Sequence, residues 1–217
     1  VTLFDPTSLR TVTRLVDRAG WSTVYVGRRR VARVPSKRAA GLGIAVGVEW
    51  TEALAHAAEL ASETVKAKKK AVALLRVKDR TEQELRDRLL RAGFGSEGVE
   101  AALAELTREG LVDDARLAQV SVARDLERGR SIAAAAARLE TRGVRAADIP
   151  PTGGAGELAR AVAAAQKRAQ KLPESLPMPA KARRLLAALA RLGYEEETAR
   201  EAAERVLGFI PPDQESI

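Results

Sequence analysis

Thr81-Glu82-Gln83-Glu84-Leu85-Arg86-Asp87-Arg88-Leu89-Leu90-Arg91-Ala92-Gly93-Phe94 spells out one helix with both of its ends. Thr81 and Glu84 stand at capping-box spacing, where each side chain can satisfy the other residue's free backbone N–H. Leu85 and Leu89 lie one turn apart on the face the helix must bury. Gly93 can take the left-handed conformation that stops a helix, and Phe94 turns an apolar side chain back onto it. The ending recurs every 50 residues, as Leu89-x-x-x-Gly93-Phe94, Leu139-x-x-x-Gly143-Val144 and Leu189-x-x-x-Gly193-Tyr194. Such a recurrence predicts an array of similar units.

Reading outward fills in the units. After Gly93, Ser96 can cap a helix whose Val99, Leu103 and Leu106 share a face before Gly110 ends it. Upstream, Thr51 is the expected N-cap of a long helix reaching Arg76, so each unit is three helices. The second opens on Asp113-Asp114, carries Ala118, Val122 and Leu126 on one row, and restarts at Ser131 after Gly129. Its third helix is expected to shrink to one turn near Ala146 to Ile149, because Pro150-Pro151 and Thr152-Gly153-Gly154-Ala155-Gly156 cannot sustain a helix. The third unit reads as helices from Glu157 to Lys171, Ala180 to Leu192 and Glu195 to Leu207, with a break at Pro173 to Pro179.

The first 50 residues differ. Thr23-Val24-Tyr25-Val26 and Val31-Ala32-Arg33-Val34 are β-prone runs around Gly27-Arg28-Arg29-Arg30, which predicts a hairpin with Val12 to Val16 as a candidate third strand. Ala40-Gly41-Leu42-Gly43-Ile44 reads as a turn. The fold class is therefore mainly α, an elongated array of three tandem three-helix repeats after a small N-terminal β-hairpin. The boundaries are 1–50 for the hairpin region, 51–112, 113–155 and 156–209 for the repeats, and 210–217 for a tail.

Composition agrees, and it narrows the chemistry. Of 217 residues, 42 are Ala and 28 Arg while aromatics make up 3%, which favours helices joined by shallow interfaces. Cysteine and asparagine are absent from the sequence, which excludes disulfides, thiolate metal sites, cysteine nucleophiles and N-glycosylation. No apolar run approaches the ~20 residues of a membrane span, and residues 1 to 30 lack a signal-peptide core, so a cytoplasmic protein is expected. His56, the single histidine, sits among alanines and reads as a helical surface residue, not a ligand or base. Asp113-Asp114 and Glu195-Glu196-Glu197 open helices, where carboxylates satisfy free N–H groups and the helix dipole. Gly41-x-Gly43 and Gly153-Gly154-Ala155-Gly156 lack the remaining residues of nucleotide-binding loops. No catalytic, metal or cofactor site is expected.

Charge points to a partner. Lys and Arg total 37 against 29 Asp and Glu, a net charge of +8, which suits a polyanion or an acidic protein surface. Residues 66 to 145 carry 18 basic and 13 acidic side chains, whereas residues 146 to 217 carry 10 of each. Within the middle, Arg124, Arg128, Arg130, Arg138, Arg142 and Arg145 form an arginine-dense helical hairpin, the expected partner-binding face. Arginine suits bidentate contact with carboxylate or phosphate. The run Lys66, Lys68, Lys69 and Lys70 reads as a solvated face.

Taken in order, these segments resemble the RecX family of bacterial regulators of the RecA recombinase. Ala73-Leu74-Leu75-Arg76 through Thr81, Glu84, Leu85, Leu89 and Gly93-Phe94 is similar to that family's first repeat. Gly110-Leu111-Val112-Asp113-Asp114-Ala115-Arg116-Leu117-Ala118 resembles the stretch that follows, and Gly129-Arg130 through Leu139 to Gly143-Val144 its second repeat. The chain departs from the family at Leu117, where an aromatic is more common, and in the Pro-Gly segment after Ile149. The resemblance implies a curved array, expected as a monomer, that lodges in the groove of a RecA filament on single-stranded DNA. There it would restrain filament growth, ATP hydrolysis, strand exchange and coprotease activity in DNA repair and the SOS response, with at most weak direct DNA contact. The alternative is a direct DNA-binding helical-repeat protein of helix-turn-helix type with no recombinase partner.

Overall fold

The computed structural model describes residues 10–151 and 156–208. Three antiparallel strands come first: β1 Val12–Arg18, β2 Trp21–Val26 and β3 Arg29–Pro35, in the order β1-β2-β3. The candidate third strand is thus present. Ala19 and Gly20 join β1 to β2, both with positive φ, the backbone twist a two-residue hairpin turn demands. On the inner face Leu15 pairs with Val24, and Val24 with Ala32. That face closes a core with Val12, Val34, Ala39, Ile44, Ala58 and Ala61.

Pro35 ends the sheet and precedes a short helix, α1 Ser36–Gly41, so helix occupies the start of the predicted turn. Proline's fixed φ suits the residue before a first turn, and Gly43 at φ +68 carries the turn itself. The long helix α2 Glu52–Leu75 follows, its Leu54 N–H donating to the Thr51 hydroxyl. Next come α3 Glu82–Arg91 and α4 Ser96–Arg108. The capping box at Thr81 and Glu84 is complete in both directions. Leu85, Leu89, Val99, Leu103 and Leu106 are buried with Ala67 and Ala71 of α2.

Ser96 does not cap α4 but is its first residue, and the N-cap position falls one residue earlier, on Gly95. The Glu63 carboxylate of α2 accepts from the Gly95 N–H at 2.6 Å and replaces the local cap. It lies so close that a Cβ on Gly98 would stand 2.7 Å from Glu63 Cγ. Nor is the lysine run uniformly solvated. Lys68 is ion-paired to Glu105 of α4 and to Glu109, its C-cap residue, and Arg38 of α1 also pairs with Glu105.

These contacts give the first unit an acid-sensitive link. Burial pushes the Glu105 carboxyl up, but hydrogen bonds and charge from Arg38 and Lys68 outweigh it and hold the group below the ordinary carboxylate value. Its contribution to stability is present above the unfolded carboxylate pKa and lost as pH falls through the lowered folded value. Thermal melts taken down through pH 4 to 3 are expected to show a falling midpoint, and Glu105→Gln should flatten that fall. An identical acid slope in the variant would remove Glu105 from the account.

The chain divides into two compact units after Val112. The second contains α5 Asp114–Glu127, α6 Ile132–Thr141, a single 3-10 turn Ala146–Asp148, α7 Glu157–Ala169, α8 Met178–Arg191 and α9 Glu196–Leu207. The shortened third element is as expected, while Thr152 to Ala155 of the Pro-Gly segment and residues 210–217 lie outside the described residues. Pro179 falls inside the first turn of α8, where its missing N–H has no partner to lose, so the break ends at Pro177.

The three glycine endings are superimposable in their bonding. Phe94, Val144 and Tyr194 N–H groups donate to the carbonyls of Leu89, Leu139 and Leu189 at 3.2, 3.0 and 3.2 Å. Gly93, Gly143 and Gly193 have φ of 86°, 83° and 84°. Each is a Schellman closure, with the apolar residue after the glycine folded towards the leucine. In the second unit two turns also dock on each other. The Ser131 N–H donates to Leu192 O at 3.0 Å, the Ser131 hydroxyl to Gly193 O at 2.6 Å and the Tyr194 hydroxyl to Gly129 O at 3.2 Å. Around this junction the core is mostly alanine, with Ala135 and Ala136 on α6, Ala161, Ala164 and Ala165 on α7, and Ala199, Ala202 and Ala203 on α9.

Candidate functional site

The arginine hairpin resolves into side chains with different duties. Asp125 of α5 is buried, its side chain 8% exposed, and both its oxygens are occupied. Arg130 donates to Oδ1 at 3.0 Å, and Arg138 of α6 to Oδ1 and Oδ2 at 2.9 and 2.7 Å. A buried carboxylate needs such partners, so Arg130 and Arg138 fasten the hairpin together. Arg145 is exposed and pairs with Asp148 at 2.8 Å, and Arg142 is the half-buried C-cap residue of α6. Arg124 and Arg128 are exposed at the C-terminal end of α5 and make no ion pair among the described residues. Their charge complements the negative end of the helix dipole there and remains available to an anion.

Asp125 is one of three acids between Arg124 and Arg145, with Glu127 and Glu140, and its place three residues after Val122 on the buried side of α5 is the signal that sets it apart. It makes Arg138→Glu different in kind from Arg128→Glu. The first sets a second carboxylate against a buried one and should lower stability by ~2 kcal/mol or more. The second should leave the melting temperature within about 1 °C, since exposed unpaired residues tolerate exchange. Equal melts for the two variants would contradict the fastening role.

A larger cationic surface lies on the segment whose tally is neutral. Of its acids, Glu195, Glu196, Glu197, Glu201 and Glu204 gather at the start and along α9. On α7, α8 and the turn between them stand Lys167, Arg168, Lys171, Arg183, Arg184 and Arg191, all exposed and without ion pairs among the described residues. They line two adjoining clefts that share Arg168 and Lys171. The first, about 280 Å³, also takes in Glu127, Arg128 and Arg160, whose Nε and Nη2 both donate to Glu157 Oε2. The second, about 490 Å³, is floored by Leu172, Leu185 and Ala188. Arg128 therefore joins the hairpin to this surface. The signal was legible in the spacing, because Lys167 and Lys171 recur at i, i+4 and Arg184 and Arg191 at i, i+7. Summing the whole segment cancelled it.

The residues considered for chemistry remain ordinary. His56 is exposed, with Nε2 3.2 Å from Glu97 Oε2. Asp113 caps α5 by accepting from the Arg116 N–H at 2.9 Å. Among the described residues no group of three or more His, Asp or Glu could hold a metal ion, and no helix is long and apolar enough to cross a membrane. Glycine-closed helix triplets, with arginine and lysine unpaired among the described residues around open clefts, define a helical-repeat protein with an exposed cationic surface.

Comparison with known proteins places it further. Residues 67–106 match the family model described as RecX, first three-helix domain. The chain is 39% identical over 138 residues to the regulatory protein RecX of Amycolatopsis mediterranei, spanning 60% of this chain and 77% of that protein. It is 34% identical over 129 residues to the regulatory protein RecX of Chlorobaculum tepidum, spanning 58% and 78%. It belongs to the RecX family. The fold is similar to a crystal structure of regulatory protein RecX, with TM-score 0.66 and 19% identity over 88% of this chain and 97% of the other. RecX from Lactobacillus salivarius gives TM-score 0.57 and 15% identity over 66% and 96%.

Proposed function

We propose that this chain is a non-enzymatic cytoplasmic regulator that binds the RecA recombinase filament on single-stranded DNA and restrains its ATP hydrolysis, strand exchange and coprotease activity. Membership of a family of regulatory proteins supports the class. The observation that carries the contact is the set of unpaired cations of α7 and α8, continued by Arg128 and Arg124. Exposed guanidinium and ammonium groups without internal partners lose little on meeting acidic side chains or phosphates. Arg130 and Arg138 are engaged by Asp125 inside the hairpin, and Arg142 and Arg145 stand at and beyond the C-terminal end of α6, so the reading rests on Arg124 and Arg128 among the hairpin arginines.

DNA-dependent ATP hydrolysis by the recombinase of the same organism is the test. Suppression by this protein is expected, and none at several-fold excess over filament would end the reading. The same cations favour a second reading, direct binding of DNA by a helical-repeat protein. Tight, steeply salt-dependent binding to naked DNA without any effect on the recombinase would select it.

A further inference from the structure

The outer face of the N-terminal sheet has been left without a role. Residues directly opposite one another in antiparallel strands share a face. The register puts Arg14, Tyr25 and Arg30 in one outward row, Val16, Thr23 and Arg33 in the next, and Arg18 and Trp21 in the third, where the β3 partner Pro35 is buried. Val16 is 40% exposed, Trp21 and Tyr25 are half-buried, and the four arginines are exposed. Arg14 lies over the Tyr25 ring at 4.2 Å and Arg33 over Trp21 at 5.3 Å. None of the four arginines has an ion pair among the described residues. The acid of these strands, Asp17, belongs to the opposite face, where it accepts from Ser22.

We propose that this face is a stacking platform for single-stranded nucleic acid, with bases on Trp21 and Tyr25 and phosphates on Arg14, Arg18, Arg30 and Arg33. Sheet faces carrying spaced aromatic rings within a cationic field bind single strands because every base has a π-face and every link a phosphate. Trp21 and Tyr25 sit four residues apart on one strand, roughly 13 Å, with the small Thr23 between them. A duplex hides its base faces, and an acidic protein surface would leave the two rings unused. The use of arginine alone fits, since its planar cation both stacks and grips phosphate bidentately. The proposal stands apart from the recombinase reading, being on a different unit from the clefts.

The test uses the full chain. Trp50 is the other tryptophan, so Trp50→Phe leaves Trp21 as the single reporter. Titration with an oligothymidylate of about twelve nucleotides is expected to quench its fluorescence saturably, with a log–log salt slope near −3 for about four phosphates. Arg14→Gln with Arg30→Gln, both exposed, should weaken binding about tenfold or more and make the slope shallower, and Tyr25→Ala should weaken it similarly. The charge-matched pair Arg76→Gln and Arg108→Gln should change it less than about twofold. A strand that binds by anisotropy without quenching Trp21 would overturn the proposal. So would an unchanged dissociation constant in the Arg14 and Arg30 pair, which decides the matter even where Tyr25→Ala fails to fold. Equal quenching by duplex DNA or by polyglutamate would overturn it too.

Discussion

Gly193→Ala is expected to lower the melting temperature of the second unit by about 15 °C, and Gly93→Ala that of the first by only about 5 °C. Both glycines close a helix in the left-handed region, at φ 84° and 86°, so both variants lose ~1 kcal/mol to backbone strain. Their surroundings differ. A Cβ at Gly93 meets nothing within 4 Å, whereas one at Gly193 would lie 2.3 Å from Ala134 Cβ and 2.9 Å from Ser131 Oγ. The overlap cannot be relieved by a side-chain rotation, because Ala134 has none to make. The turn around Gly193 must pull away from α6, breaking the Ser131 bonds to Leu192 and Gly193, at a cost of ~2 kcal/mol or more beyond the strain. Pairing Gly193→Ala with Ala134→Gly should restore part of the loss, even though glycine inside α6 costs ~1 kcal/mol of its own. Equal losses at Gly93 and Gly193, with no rescue, would show that the docked turns do not hold the unit.

The second large effect concerns binding. Lys167→Glu, Arg168→Glu, Arg183→Glu and Arg184→Glu together should abolish suppression of recombinase ATP hydrolysis while the melt stays near that of the parent protein. All four side chains are exposed and make no ion pair among the described residues, so no internal bond between these is lost. Each charge-assisted contact contributes ~1.5 to 3 kcal/mol, and replacing attraction by repulsion at several of them should weaken binding about a thousandfold after allowance for non-additivity. Arg200→Glu with Arg205→Glu is the control, since these α9 residues already pair with Glu196 and Glu201. Full inhibition by the quadruple variant, or equal damage by the control, would move the contact elsewhere.

What could be read from sequence was local. Thr81 with Glu84, Ser131, and the leucine and glycine pairs carry their instructions within one turn, and each helix end they specify is present. Ser96 failed as a cap because its competitor, Glu63, is 33 positions away along the chain and becomes adjacent only after α2 packs on α4. Gly93 and Gly193 look alike as letters, and only the docked turn at Ser131 separates them. The candidate site was half visible for a similar reason. Arginine density located the hairpin, but Asp125 claims Arg130 and Arg138 through contacts formed on folding. The cations of α7 and α8 were masked by acids that the fold assigns to α9.

The alanine core of the second unit reverses the usual pattern of mutational vulnerability. In a leucine-rich core, trimming side chains does the harm, because each truncation leaves a void. Where Ala135, Ala136, Ala161, Ala164, Ala165, Ala199, Ala202 and Ala203 line the contacts, there is almost nothing to trim. Any enlargement at these positions instead acts as a wedge between helix backbones. At these alanines substitution therefore meets a steep wall on the side of added volume and almost none on the side of lost volume, while Leu139, Leu185 and Leu189 of the same cores keep the usual vulnerability to truncation. Alanine codons mutate mostly to larger residues, so these close helix contacts are brittle in heredity in a way that a stability measurement on the parent protein does not register.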